Sequence, residues 1–194
     1  YFDKAKILIN DLQDTVELRY YYSELGNFYF KQEQIDSAIL CIEESKNLSK
    51  ILGEHDLIIG ANVNIGLLYK KKGNYDLALQ YMNGALTAYK KNTNNPSELG
   101  VVYNNLGSIY AAQKKYNQAE KAFFKSLDYV NSIDAKFVVL ENYQNLMDLY
   151  EQMKDYKSQS IYLKKYYQLK DSIYAIDKLN ELNQLESEYQ LEKK

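Results

Sequence analysis

A chain of 194 residues, 46% hydrophobic and 26% charged, has the composition of a folded protein of about one domain. A net charge of −2 offers no basic face to nucleic acid, and no apolar run approaches the roughly 20 residues that span a bilayer. One proline, Pro96, and eight glycines are too little punctuation for a many-stranded β-protein and favour long helices.

In chain order, residues 1–14 open with Phe2-Asp3-Lys4-Ala5, half of a pattern that then recurs in full. The first complete unit, about 19–54, carries Tyr22-Ser23-Glu24-Leu25-Gly26-Asn27-Phe28-Tyr29 and then Ile35-Asp36-Ser37-Ala38. The second, about 59–94, carries Asn62-Val63-Asn64-Ile65-Gly66-Leu67-Leu68-Tyr69 and Tyr75-Asp76-Leu77-Ala78. The third, about 100–134, has Tyr103-Asn104-Asn105-Leu106-Gly107-Ser108-Ile109-Tyr110 and Tyr116-Asn117-Gln118-Ala119. The fourth, about 140–174, has Tyr143-Gln144-Asn145-Leu146-Met147-Asp148-Leu149-Tyr150 and, imperfectly, Tyr156-Lys157-Ser158-Gln159. Gly26, Gly66, Gly107 and Met147 share one column, giving a period of about 40 residues.

Apolar positions within each unit recur at three- and four-residue spacing, the mark of amphipathic helices. Two helices of about 17 residues, each roughly 26 Å long, fill one period. Gln32-Glu33-Gln34, Lys72-Gly73-Asn74 and Lys114-Lys115 are the turns inside units. Gly53-Glu54, Asn92 to Pro96 and Asp134 join units, with Pro96 placed to open a helix.

An aromatic residue, then Leu-Gly, Tyr and Ala in this order resembles the tetratricopeptide repeat, over nearly everything from Tyr1 to about Tyr174. The period exceeds the usual 34 residues and the closing proline is missing, as in the long variant of bacterial signalling proteins. The resemblance implies an all-α fold, a right-handed α-α superhelix of antiparallel helix pairs over 1–174. Residues 175–194 would form a C-terminal capping or coiled-coil linker helix. Gly26, Gly66 and Gly107, facing Ala38, Ala78 and Ala119, allow close helix approach. Tyr29, Tyr69 and Tyr110 fill the space between, and Ile42, Met82 and Phe123 pack onto the next unit. Unit four holds Met147, Gln159 and Tyr166 in the small-residue columns, so its two helices are expected to splay.

No residue pattern argues for catalysis. His55 is the only histidine and sits at a helix boundary, a solvated turn residue without partners for a triad or a zinc site. The glycines are scattered singly rather than gathered in a phosphate loop, and no carboxylate pair stands out. No enzyme activity, cofactor or metal is expected. Cys41 is alone, which excludes an internal disulfide, and its apolar helical setting reads as a buried, inert thiol.

In such solenoids the first helix of each unit lines a concave surface that receives a protein or an extended peptide. Carried over by register, the non-core positions are Tyr20, Ser23, Glu24, Asn27 and Lys31 in unit one and Asn64, Lys70 and Lys71 in unit two. Unit three contributes Asn104, Asn105 and Ser108; unit four contributes Gln144, Asn145, Asp148 and Glu151. Asn64, Asn105 and Asn145 share a column. A carboxamide ladder there can bond an extended backbone without reading its sequence, and the column reads equally well as a family habit. Chaperone-binding relatives clamp a terminal carboxylate with cations at columns that hold Ser23, Val101 and Asn105 here, so that clamp is absent. Charge instead passes from Lys31, Lys70 and Lys71 to Glu141, Asp148 and Glu151, an asymmetry that could orient a ligand.

Beyond Tyr167, Leu182, Leu185 and Tyr189 are spaced three and four apart amid Glu, Gln and Lys. A helix leaves the solenoid there, either a cap or the start of a coiled coil that would give a homodimer. Leu169-Lys170-Asp171-Ser172-Ile173 with the Tyr189 to Lys194 tail resembles bacterial sensors in which tetratricopeptide repeats lead to a histidine kinase or a helix-turn-helix output. That resemblance implies a sensory input, periplasmic if a membrane helix follows and otherwise cytoplasmic; a free-standing adaptor is the alternative. No contact of this segment with nucleic acid or membrane is expected. Of the 24 Lys and Arg residues only Arg19 is arginine, as an AT-rich genome would encode. A start at Tyr1 and a charged helical pattern running to Lys194 give the expectation of a segment excised from a longer chain.

Overall fold

The computed structural model describes residues 14–92, 96–130 and 135–192, and all of the regular structure among them is helical. The expected half-unit at 1–14 and the junction at Asp134 lie outside the described residues. Eight α-helices follow one another there: α1 (Thr15–Lys31), α2 (Ile35–Leu52), α3 (His55–Lys71), α4 (Tyr75–Asn92), α5 (Pro96–Ala112), α6 (Tyr116–Tyr129), α7 (Lys136–Gln152) and α8 (Tyr156–Glu192). They pack as successive pairs, α1 with α2, α3 with α4, α5 with α6 and α7 with α8, each pair stacking on the next. Most helices match the expected length at 17 or 18 residues; α6 has 14 and α8 has 37. The last helix runs without a break through the anticipated boundary at residue 174.

Side chains cap several helix starts. Asp14 accepts from the Val16 and Glu17 amides at 2.9 and 3.1 Å, and Asn74 from Leu77 at 3.3 Å. These bonds satisfy amides that the first helical turn leaves unpaired. Pro96, which lacks that amide, opens α5.

Each turn inside a unit closes in one way. The amides of Gln34, Asn74, Lys115 and Asp155 return to the carbonyls of Tyr29, Tyr69, Tyr110 and Tyr150, all at 2.9 Å. The preceding residue is left-handed every time: Glu33 at φ 58°, Gly73 at 76°, Lys114 at 60° and Lys154 at 58°. Only unit two supplies the glycine that this geometry favours.

Packing inside a unit rests on the glycine column. A Cβ on Gly107 would stand 2.5 Å from two atoms of the Phe123 ring, and one on Gly66 would stand 2.7 Å from Met82 Cε. Ala38, Ala78 and Ala119 are completely buried opposite. Met82 thus meets the glycine of its own unit and, through the cluster shared with Val102 and Leu106, the following unit as well. Unit four is looser. Gln159 is only half-buried, the backbones of α7 and α8 approach less closely than those of earlier pairs, and Tyr162 fills the gap by stacking on Tyr150 at 5.7 Å.

Polar groups brace the joints between units. The single arginine, Arg19, is buried and its Nε stands 2.7 Å from Glu54 Oε2, an ion pair without hydrogen-bond alignment. Buried Lys46 meets Glu43 at 2.7 Å and Asn62 at 3.4 Å. Farther along, fully buried Ser126 donates to the Gly100 carbonyl at 2.6 Å and accepts from fully buried Asn142 at 2.9 Å.

Candidate functional site: the groove along the first helices

The first helices of the units do not stand evenly. α5 lies against α7 and α3 against α5, whereas α1 and α3 leave a gap. That gap holds a concavity of about 370 Å³ lined by Asn27, Phe30, Ile42, Asn64, Leu67, Leu68 and Lys71. A second, of about 170 Å³, adjoins it through Asn27, Ile42 and Asn64 and reaches Ser23, Asp56 and Gly60. A third, of about 310 Å³, continues past Asn64 to Asp56, Val63, Glu98 and Val101. Asn64 borders all three. The result is a continuous trough with an apolar floor and carboxamides on its walls, the make-up of a ligand site.

The residues expected from register divide into two sets. Ser23, Asn27, Asn64 and Lys71 come together in the trough. Tyr20 is exposed beneath the Arg19 guanidinium, 3.9 Å above its ring, and Lys31 is exposed in the last turn of α1. Farther along, the carboxamides on α5 are covered. Asn104 and Asn105 are buried, and Asn145 Nδ2 donates to Asn104 Oδ1 at 3.0 Å. The asparagine column therefore presents Asn64 openly while Asn105 is covered and Asn145 is half-buried. Gln144 donates to Asp148 at 2.9 Å, both of them exposed on α7.

The two lysines that end α3 differ. Lys70 is half-buried and donates to Ser108 Oγ at 3.0 Å, and Ser108 in turn donates to the Asn105 carbonyl at 2.9 Å. Burial lowers the Lys70 pKa, opposed by the Glu141 carboxylate. Lys71 remains exposed, 3.6 Å from Glu33, a solvated pair that a ligand carboxylate can exchange at little cost. Asp56 and Glu98 line the trough at its α3–α5 side, at the opposite end of α3 from Lys70 and Lys71.

Phe30, Ile42, Leu67 and Asp56 were absent from the register reading. Phe30, Ile42 and Leu67 are apolar and read as core, while Asp56 lies in the first turn of α3, before the repeated motif. Among the described residues no group of three His, Cys, Asp or Glu side chains could hold a metal ion, and no helix is long and apolar enough to cross a membrane. His55 is exposed at the start of α3, and Cys41 is buried.

The family model of the tetratricopeptide repeat matches residues 17–91 and 57–132. The chain belongs to the tetratricopeptide repeat family. Solved structures show the same fold. BtubC (BKLC) from P. vanneervenii superposes with a TM-score of 0.74 at 20% identity, covering 89% of this chain and 74% of that one. The apo form of RapI gives a TM-score of 0.74 at 14% identity over 88% of this chain; the chain spans 47% of RapI. The nearly identical TPR-like repeats of a Podosopora anserina chain described as a kinesin light chain give 0.63 at 14% identity, covering 81% and 76% of the two chains. No curated protein matches in a sequence comparison. Tetratricopeptide repeats are scaffolds for protein–protein interaction.

Proposed function

We propose that this tetratricopeptide array binds an extended peptide in the trough between α1 and α3, and that it is the sensory or interaction domain of a bacterial signal-transduction protein. The observation that carries the binding site is that Asn27 and Asn64 wall the same apolar concavity, with Lys71 at its edge. Asn27 and Asn64 can each donate to and accept from a peptide backbone. The floor of Ile42, Leu67 and Leu68 takes an apolar ligand side chain, and Lys71 takes a carboxylate. Two asparagines fix the chain direction and position; the floor and the lysine select its side chains.

Peptides displayed on phage, selected on the purified chain, test the site. The expected consensus pairs one large apolar residue with an acidic residue nearby. Fluorescence anisotropy of a selected peptide should then weaken about tenfold for Asn64→Ala, the loss of roughly one or two hydrogen bonds. Selected peptides whose affinity is unchanged by Asn64→Ala and by Leu67→Glu would place binding elsewhere. The signalling role rests on the long exit helix and is tested on the parent gene. An output domain encoded downstream supports it; a stop codon soon after Lys194 leaves a free-standing adaptor.

A further inference from the structure

The second helix of a unit carries an outward stripe that the next unit covers. In α4 the stripe is Tyr75, Leu79, Met82, Leu86 and Tyr89, packed in the cluster that also contains Val102 and Leu106 of α5. In α6 the same columns hold Tyr116, Phe123 and Leu127, packed with Leu146 and Leu149 of α7. In α8 the corresponding Tyr156, Leu163 and Tyr167 are 66%, 41% and 53% exposed. Tyr174, at 70%, extends the stripe by seven residues, or two helical turns. Met82 and Phe123, which share the Leu163 column, are completely buried. Among the described residues, therefore, a surface built for a following helix is open, and α8 continues as one helix to Glu192.

Charge on α8 is divided along its length. Residues 156–170 contain Lys157, Lys164, Lys165 and Lys170 and no acid. Residues 171–192 contain Asp171, Asp177, Glu181, Glu186, Glu188 and Glu192 against a single Lys178. Tyr174 lies at the midpoint of the helix. Two copies laid antiparallel across Tyr174 bring each basic half onto the acidic half of its partner, whereas a parallel pair sets like charge beside like. Successive helices in the stack are themselves antiparallel. The incoming half would therefore occupy the place of a fifth unit's first helix. Leu182, Leu185 and Tyr189 recur at the three- and four-residue spacing of Leu99, Val102 and Leu106, of which Val102 and Leu106 pack in the cluster with the α4 stripe.

We infer that the open stripe of α8 is the seat of a second copy of this chain, joined as an antiparallel homodimer through α8. Light scattering after size exclusion tests it on these 194 residues, with an expected mass twice their 22.7 kDa. Leu163→Glu with Tyr167→Glu should return the mass to that of one chain. Lys164→Glu with Lys165→Glu should weaken self-association at least tenfold and restore it on mixing with a Glu186→Lys, Glu188→Lys chain. Orientation is read by cross-linking: a Ser160→Cys chain should join a Glu188→Cys chain and not itself. A single-chain mass at about 100 μM, where another class of partner would leave the stripe bare, overturns the inference. Self-joining of Ser160→Cys overturns the antiparallel arrangement. If the glutamate pair lowers the helix content, the charge-reversal mixture decides.

Discussion

Replacing glycines by alanine one at a time separates helix propensity from close helix approach. Each replacement gains about 1 kcal/mol of propensity in a helix interior. At Gly60, in α3, nothing lies within 4 Å of the added Cβ, so Gly60→Ala should stabilise by about that amount. At Gly66 the nearest atom is Met82 Cε at 2.7 Å, the free end of a flexible side chain, with the Ala78 carbonyl oxygen behind it at 3.2 Å. Gain and cost roughly cancel there. At Gly107 three atoms of the Phe123 ring lie within 2.9 Å, and the ring is completely buried with no room to swing. Overpacking costs about 1–3 kcal/mol and a trapped ring sits at the upper end, so Gly107→Ala should destabilise by a net of about 2 kcal/mol. In a chain of this size that lowers Tm by roughly 4–8 °C, while Gly60→Ala raises it by roughly 2–4 °C. Far-UV circular dichroism melts measure both, with urea midpoints at constant slope as a check on stepwise unfolding of the stack. If Gly107→Ala melts at or above Gly60→Ala, the close-approach argument is refuted.

Two further predictions use other features. Glu33 and Lys114 occupy left-handed turn positions that cost a non-glycine residue about 1–2 kcal/mol, so Glu33→Gly and Lys114→Gly should each stabilise by about 1 kcal/mol, and Gly73→Ala should destabilise by a similar amount in the same melts. Burial, then the hydrogen bond to Glu120, raises the Tyr150 pKa, and burial and Glu43 do the same for Tyr81. A raised folded-state value means that the contribution is complete below the unfolded tyrosine value of about 10 and is lost as pH rises above it. Urea stability should therefore decline above about pH 10, less steeply in Tyr150→Phe than in the wild type; parallel declines would remove Tyr150 from the account.

The helix pairs, their turns and their order were legible in the sequence because each depends on short-range rules. Four copies of one pattern register the columns, and three- and four-residue spacing places Ala38, Ala78 and Ala119 opposite Gly26, Gly66 and Gly107. Glu33, Lys114 and Lys154 were a different matter, since nothing in their chemistry announces a positive φ. Their backbone is set by the aligned column in which unit two has Gly73.

The groove was only half legible. Register identifies the helix face on which Asn64, Asn105 and Asn145 lie, because that face is a property of one helix. Whether a face meets solvent depends on how far apart neighbouring first helices stand. That spacing is fixed by the packing of whole units, so Asn64 borders an open trough while Asn105 is covered and Asn104 is bonded to Asn145. The sequence by itself determined a stack of antiparallel helix pairs with glycine seams. Only the tertiary structure decided that the trough opens between α1 and α3, because that opening is a sum of many small displacements between units that no single column records.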